Sequence, residues 1–419
     1  MLKKFLKRYS HINLALVDQA MVSGVNFLTG LLIARFLGIE AFGVFTLVWM
    51  SVLFVNSIQM AMISAPMMTI GPKQSDTERP GYYGAVVAQQ LIFATVTSLL
   101  LWLGIVLSNL ISPQWQVAHL ALPLAMSLFF FQNQDFLRRL FFAEARPLAA
   151  LINDAVSYLG QISLLMLFFL RASPAAADVL WIIAISSALA VLVGLFQLDK
   201  LDFNTSQLWS VFENHWVLSK WLTASAIMQW TSGNYFILTT GSLVGPVAVG
   251  ALKATQNIIG VVHILFQGLE NIVPSTASRH FMKDSLVGLK QYLLKVSFWG
   301  GGATVVIALA VSLSPDTLLR LIYGEQYQGY GYVLRWYALC YVFIFFSLPL
   351  RAGLRVLDAS QPIFITYMLM TIFSISFAGV MVGKWGVDGA MMGILCTQII
   401  MLFCLLLYFK TQLKKRASG

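Results

Sequence analysis

Runs of some twenty apolar residues, separated by short polar or Gly/Pro-marked breaks, recur along the whole chain. A helix needs roughly 20 such residues to cross the hydrocarbon core of a bilayer. The pattern predicts twelve spans, the first six at 12–36, 41–66, 82–108, 117–139, 147–170 and 177–198. The second six are 219–241, 246–274, 291–313, 331–350, 362–383 and 387–409. Gly38, Gly43, Pro147, Pro246, Pro315, Pro362 and Gly386 stand at or beside these boundaries, where Gly and Pro stop or start helices.

Composition agrees. The 419 residues are 58% hydrophobic and 11% charged, whereas a soluble domain carries about 25% charged residues to keep its surface wet. The expectation is an all-α polytopic membrane protein, with no room for a soluble enzyme domain and no catalytic constellation. There is no Walker loop, the five histidines are scattered, and Cys340, Cys396 and Cys404 sit in apolar stretches without metal or disulfide spacing. No cofactor is expected.

The net charge of +10 looks at first like a nucleic-acid footprint, and its distribution removes that reading. If the N-terminus and every second loop are placed on one side, 21 of the 27 Lys and Arg residues fall there. Basic residues resist translocation, so the rich side is cytoplasmic and both termini lie inside.

Polar positions inside the spans carry the candidate chemistry. Lys253, Gln256, Asn257, Gly260, His263, Gln267, Glu270, Asn271 and Pro274 recur at steps of three and four in span eight, which places them on one helical face. Span two carries Ser51, Asn56 and Gln59, span one Asp18, Asn26 and Thr29 before Arg35, and span seven Ser225, Gln229 and Ser232. Isolated amides such as Gln89, Gln161 and Gln398 read as hydrogen bonds between helices. The span-eight stripe reads instead as the lining of a wet cavity, because one neighbouring helix could not satisfy its Lys and Glu together. Asp135, Arg138, Arg139 and Glu144 read as an interfacial charge cluster that Asp154 could join.

The chain also repeats itself. Leu37-Gly38 and Gly43 between spans one and two match Val244-Gly245 and Gly250 between spans seven and eight, at an offset of 207. Arg138-Arg139-Leu140, running through Ala145-Arg146 to Pro147, has a counterpart in Arg351, Leu354 and Arg355, running through Ala359-Ser360-Gln361 to Pro362, at a proline offset of 215. Two matches at nearly one offset predict two six-helix bundles around a central cavity, related by an axis along the membrane normal. The bundles would be residues 1–198 and 219–419, joined by a cytoplasmic linker 199–218 whose Trp209, Phe212 and Trp216 suit a membrane interface.

Ala34-Arg35-Phe36-Leu37-Gly38 followed by Glu40-Ala41-Phe42-Gly43, the inner Ala145-Arg146-Pro147 and the late Trp385-Gly386-Val387-Asp388-Gly389-Ala390 resemble the Wzx-like polysaccharide and O-antigen flippases. These form a branch of the multidrug/oligosaccharidyl-lipid/polysaccharide exporter superfamily. The resemblance implies alternating access in a bacterial inner membrane and a polyprenyl-pyrophosphate-linked oligosaccharide moved to the periplasmic leaflet. It also implies surface polysaccharide polymerase and ligase partners. Arg35 and Lys253 are then the cationic candidates for the pyrophosphate. Asn26, Asn56, Gln59, Gln229, Gln256, Asn257, His263 and Gln267 complete the substrate cavity. Basic residues deep in the spans are few, and Asp18 and Glu270 offset them. An ion-coupled multidrug antiporter of the same superfamily, with Asp18 and Glu270 binding the coupling ion, stays open. A membrane scaffold without transport fits the polar face of span eight less well.

Overall fold

Helices follow the apolar runs almost without interruption. The computed structural model describes residues 2–111, 117–170, 175–203, 205–359 and 361–417, and among these there is no strand. In the first part stand α1 (Leu2–Leu37), α2 (Ile39–Gln59), α3 (Ala65–Ile70), α4 (Arg79–Ile111), α5 (Ala121–Ala143), α6 (Pro147–Asp154), α7 (Gly160–Phe169) and α8 (Ala176–Gln197). They are followed by α9 (Thr205–Leu243), α10 (Pro246–Leu313), α11 (Pro315–Tyr323), α12 (Gly331–Val356) and α13 (Gln361–Ala417). Each expected span falls on these helices. The two longest hold two spans each: α13 breaks at Gly386, which the sequence marks as a boundary, and α10 breaks at Asp284 and Ser285, between the expected spans eight and nine.

Among the described residues, eight helical stretches are long and apolar enough to cross a membrane, one of them covering both spans of α13. This is a multi-pass membrane protein. Helices α5 and α9 are not among the eight, and the sequence gives the reason: α5 carries Gln132 through Asp135 with Arg138 and Arg139, and α9 begins as a polar, Trp-rich segment.

Two helices contain one wide turn each. Met60–Ser64 joins α2 to α3 as a π-helix, and Ala155–Leu159 joins α6 to α7 in the same way. Such turns insert an extra residue and re-aim the side chains beside them.

The chain forms two compact units. The first holds the residues up to Leu37 together with Val48–Ile227; the second holds Gly38–Leu47 together with the residues from Met228 onward. The segment read as a cytoplasmic linker, 199–218, packs on the first unit. Asp202 donates its amide to the Pro80 carbonyl at 3.1 Å, Gln89 donates to the Leu208 carbonyl at 2.9 Å, and Tyr82 shares a buried 2.8 Å hydrogen bond with His215. Val211 joins the core formed by Met67, Tyr83, Phe136, Leu140 and Phe141. The helical part of that segment then runs on into span seven without a break, as α9.

Residues 38–47 form a strap that the second unit grips. Gly38 turns the chain at φ +83° and Gly245 does so in the second repeat at φ +109°, conformations that an L side chain adopts only with strain. Beyond these turns the two equivalent helix starts cross almost backbone to backbone. A Cβ on Gly43 would lie 1.9 Å from the Pro246 carbonyl oxygen, and one on Gly250 would lie 2.1 Å from that of Ile39. The paired glycines of the sequence repeat are therefore each other's packing partners. Gln326, just beyond α11, accepts the Ile39 amide at 3.2 Å and closes over the turn.

Candidate functional site

Unit one buries charge. Asp18 on α1 and Asp154 at the end of α6 are both fully buried, and Arg138 of α5 stands between them. Its Nη2 donates to Asp18 Oδ2 at 2.8 Å, and its Nε faces Asp154 Oδ2 at 2.5 Å. The guanidinium also lies over the Phe142 ring at 5.6 Å. Gln134 donates to Asp154 Oδ1 at 2.7 Å and to Asn153 Oδ1 at 3.0 Å, while Asn153 donates to the Ala190 carbonyl at 2.7 Å. One turn along α5, Asp135 and Arg139 form their own pair at 2.8 Å. The π-turn that starts at Ala155 follows Asp154 directly, so the wide turn sits at the place where the acid must be aimed at α5.

Counted as ionised groups, the triad holds two carboxylates and one guanidinium. Among the described residues, Asp18 Oδ1 meets no hydrogen-bond donor. A buried excess charge is expensive unless it is paired and hydrogen-bonded. The charge cluster read from the sequence at the inner end of span four is thus split: Arg138 reaches inward to Asp18 and Asp154, whereas Arg146 turns to Glu144 and Asp199, each at 3.3 Å.

The second feature is the first arm of α10. Leu252, Ile259, Val262, Phe266 and Val273 are buried in the core of unit two, where Phe266 packs edge-on to Phe345 at 5.2 Å. Lys253, Gln256 and Asn257 are half-buried on the other face. Lys253 donates to Gln256 Oε1 at 2.9 Å, and among the described residues it forms no ion pair. The side chains of His263, Gln267 and Glu270 lie outside the described residues; their backbone continues the helix.

The other expected cavity residues are less uniform. Gln59 is fully buried and donates to the Gln132 carbonyl at 3.1 Å, which makes it a tie between α2 and α5 within unit one. Asn56 is half-buried, and among the described residues its Oδ1 meets no donor. Asn26 and Arg35 on α1 and Gln229 on α9 are exposed. Gln161, read as an interhelical tie, does hydrogen-bond Thr29 of α1, at 3.4 Å. Asp154, Gln134 and Asn153 were missing from the expected site, although an Asp inside an apolar span was the available signal.

Comparison with known proteins places this arrangement. The MatE family profile matches residues 222–383, less than half of the chain. The fold is similar to that of a multidrug resistance transporter of the MATE family, MOP superfamily, solved facing inward: TM-score 0.75, 13% identity, 94% of this chain and 96% of that one covered. It is similar to the lipid II flippase MurJ in an inward closed conformation, with TM-score 0.73 and 14% identity over 95% and 87% of the two chains. A MOP superfamily transporter from Pyrococcus furiosus, described as having a binding pocket of reverse polarity, matches with TM-score 0.64 and 13% identity over 96% and 95%. No curated protein is significantly similar in sequence. At these identities the structural likeness establishes the fold, two helical bundles of the MATE type.

Proposed function

We propose that the protein is a secondary transporter that moves a polyprenyl-pyrophosphate-linked oligosaccharide across a bacterial inner membrane by alternating access. Both termini would be cytoplasmic, and polymerase and ligase partners would act on the product. The observation that carries this reading is Lys253. An ammonium inside an apolar span is costly unless an anion or water faces it, and here its partner is a neutral amide on its own helix. A pyrophosphate would supply the missing anion. Gln256 and Asn257 on the same face offer donors and acceptors for sugar hydroxyls, and Arg35, Asn26, Asn56 and Gln229 are the further residues expected to meet substrate. The flippase-like motifs support this choice of substrate, and one solved structure of the same fold is named a lipid II flippase.

The test is replacement of Lys253 by Ala and by Arg in the native strain, with membrane protein levels matched. The Ala variant is expected to lower surface polysaccharide at least tenfold and to accumulate the lipid-linked intermediate, while Arg keeps most of the output. Wild-type output from Lys253→Ala would remove the assignment.

One observation favours an ion-coupled multidrug antiporter: two buried carboxylates, Asp18 and Asp154, share the single guanidinium of Arg138. That reading expects the chain to raise resistance to cationic drugs in a sensitised host, and expects Asp154→Asn to abolish the effect. In either transporter, the triad is the place where a coupling proton or cation would bind.

A further inference from the structure

A second set of polar groups lies in unit two, away from the Lys253 face. Helix α10 reverses direction at Asp284 and Ser285, with Ser285 at φ +53°. Gly288 lets the returning arm come close, since a Cβ there would lie 2.6 Å from the His280 carbonyl oxygen. In the crook of this bend is a groove of about 460 Å³. Gln291, Tyr292, Lys295, Val296 and Trp299 line it from the returning arm, and His280 closes it from the other, stacked on Tyr292 at 4.9 Å and 14°. Steps of three and four put the lining residues of the returning arm on one helical face.

The groove carries an exposed lysine, and helix length places it against a bilayer. Between residues 279 and 295 the bend carries Arg279, Lys283, Lys290 and Lys295 with one acid, Asp284. Lys295 is exposed and makes no ion pair or hydrogen bond among the described residues. The returning arm ends at Leu313, before Pro315 opens α11. Lys295 is 18 residues from that end, about 27 Å along a helix, against a hydrocarbon core of about 30 Å. Trp299 is 14 residues away, about 21 Å, and is 68% exposed beside Phe298 at 72%. An indole just inside the apolar slab and a lysine at its edge match the positions where aromatic belts and snorkelling amines meet headgroups.

We propose that this groove holds the phosphate headgroup of an anionic bilayer phospholipid on the side the basic residues mark as cytoplasmic. Lys295 pairs with the phosphate, Gln291 donates to its oxygens, and Trp299 and Val296 receive the upper acyl chain. This lipid is a resident ligand, distinct from any transported substrate, so the site stands whether or not the reading of Lys253 is right.

The experiment uses the full chain in phosphatidylcholine vesicles doped with brominated phosphatidylglycerol or brominated phosphatidylcholine. The Trp299 signal is the difference between the wild type and Trp299→Phe. Expected is quenching by the brominated anionic lipid at about fivefold lower mole fraction than by the zwitterionic one, a preference sized from one lysine at a headgroup. Lys295→Gln should reduce that preference toward one and Lys295→Arg should keep it. Inorganic phosphate added to the vesicles should not compete. Equal quenching by the two lipids, or an unchanged preference in Lys295→Gln, overturns the proposal. Competition by phosphate also overturns it, because the site would then take the free anion.

Discussion

The crossing of Gly43 with Pro246 and of Gly250 with Ile39 makes a quantitative demand. An added Cβ at Gly43 would sit 1.9 Å from a carbonyl oxygen and 2.6 Å from the carbonyl carbon of Pro246. Ordinary contact begins near 3.4 Å, so Gly43→Ala must push the strap off α10 by about 1.5 Å, or twist one of two helix starts that are hydrogen-bonded within themselves. Overpacking of this kind costs about 1–3 kcal/mol. Gly250→Ala meets the Ile39 oxygen at 2.1 Å and should cost a similar amount. The two clashes lie in one crossing, so the separation forced by the first relieves most of the second. The double variant should therefore fall short of the sum of the singles by about 1 kcal/mol or more, within the range for residues in contact. Unfolding curves for the four proteins in one detergent at one lipid content give the cycle. Strictly additive losses, or a neutral Gly43→Ala, would refute the argument.

Three further outcomes follow from the buried groups. Arg138→Gln leaves Asp18 and Asp154 buried without their cation and should destabilise unit one by about 3–5 kcal/mol; adding Asp154→Asn should recover part of the loss, and failure to do so in the same unfolding assay argues against the triad as one charge unit. His215 lies outside the spans, and burial lowers its pKa from 6.5 to about 4. The unfolded chain then binds the proton first. The stabilisation is full above pH 6.5 and is lost as pH falls toward 4, and His215→Gln should flatten that slope. Asp316 accepts the amides of Gly329 and Gly331 at 2.9 and 3.0 Å, so Asp316→Ala should cost about 1–3 kcal/mol and Asp316→Asn less, read in the same curves.

The fold was legible because a bilayer imposes one rule on every span, and Gly and Pro punctuate the rest. Gly386 was readable as a boundary and is the break in α13. The equivalence of Gly43 and Gly250 was readable as a repeat; that the two touch was not, since an offset between matching motifs gives no distance between them. The candidate site was legible only where it is local. The Lys253 face follows from steps of three and four along one helix. Arg138 lies 120 residues from Asp18, and nothing in helical spacing says which of the neighbouring arginines will turn inward. Gln59 shows the opposite failure: an amide at the right register for a cavity face donates instead to the next helix, because a position on a helical wheel does not say which neighbour covers it.

The strap also has a consequence in time. Gly43 leaves the ribosome 207 residues before Gly250, roughly 10–40 s earlier at ordinary rates of synthesis. Through that interval Gly43 has no Pro246 to lie against, and the turn at Gly38 has no Gln326 to accept the Ile39 amide. The first half cannot finish folding as it is made, and its first hairpin must wait in the bilayer, open, for the second half to arrive. A chain cut within 199–204 should then mature only when both fragments are made together, because the fragment carrying the strap is not the fragment that grips it.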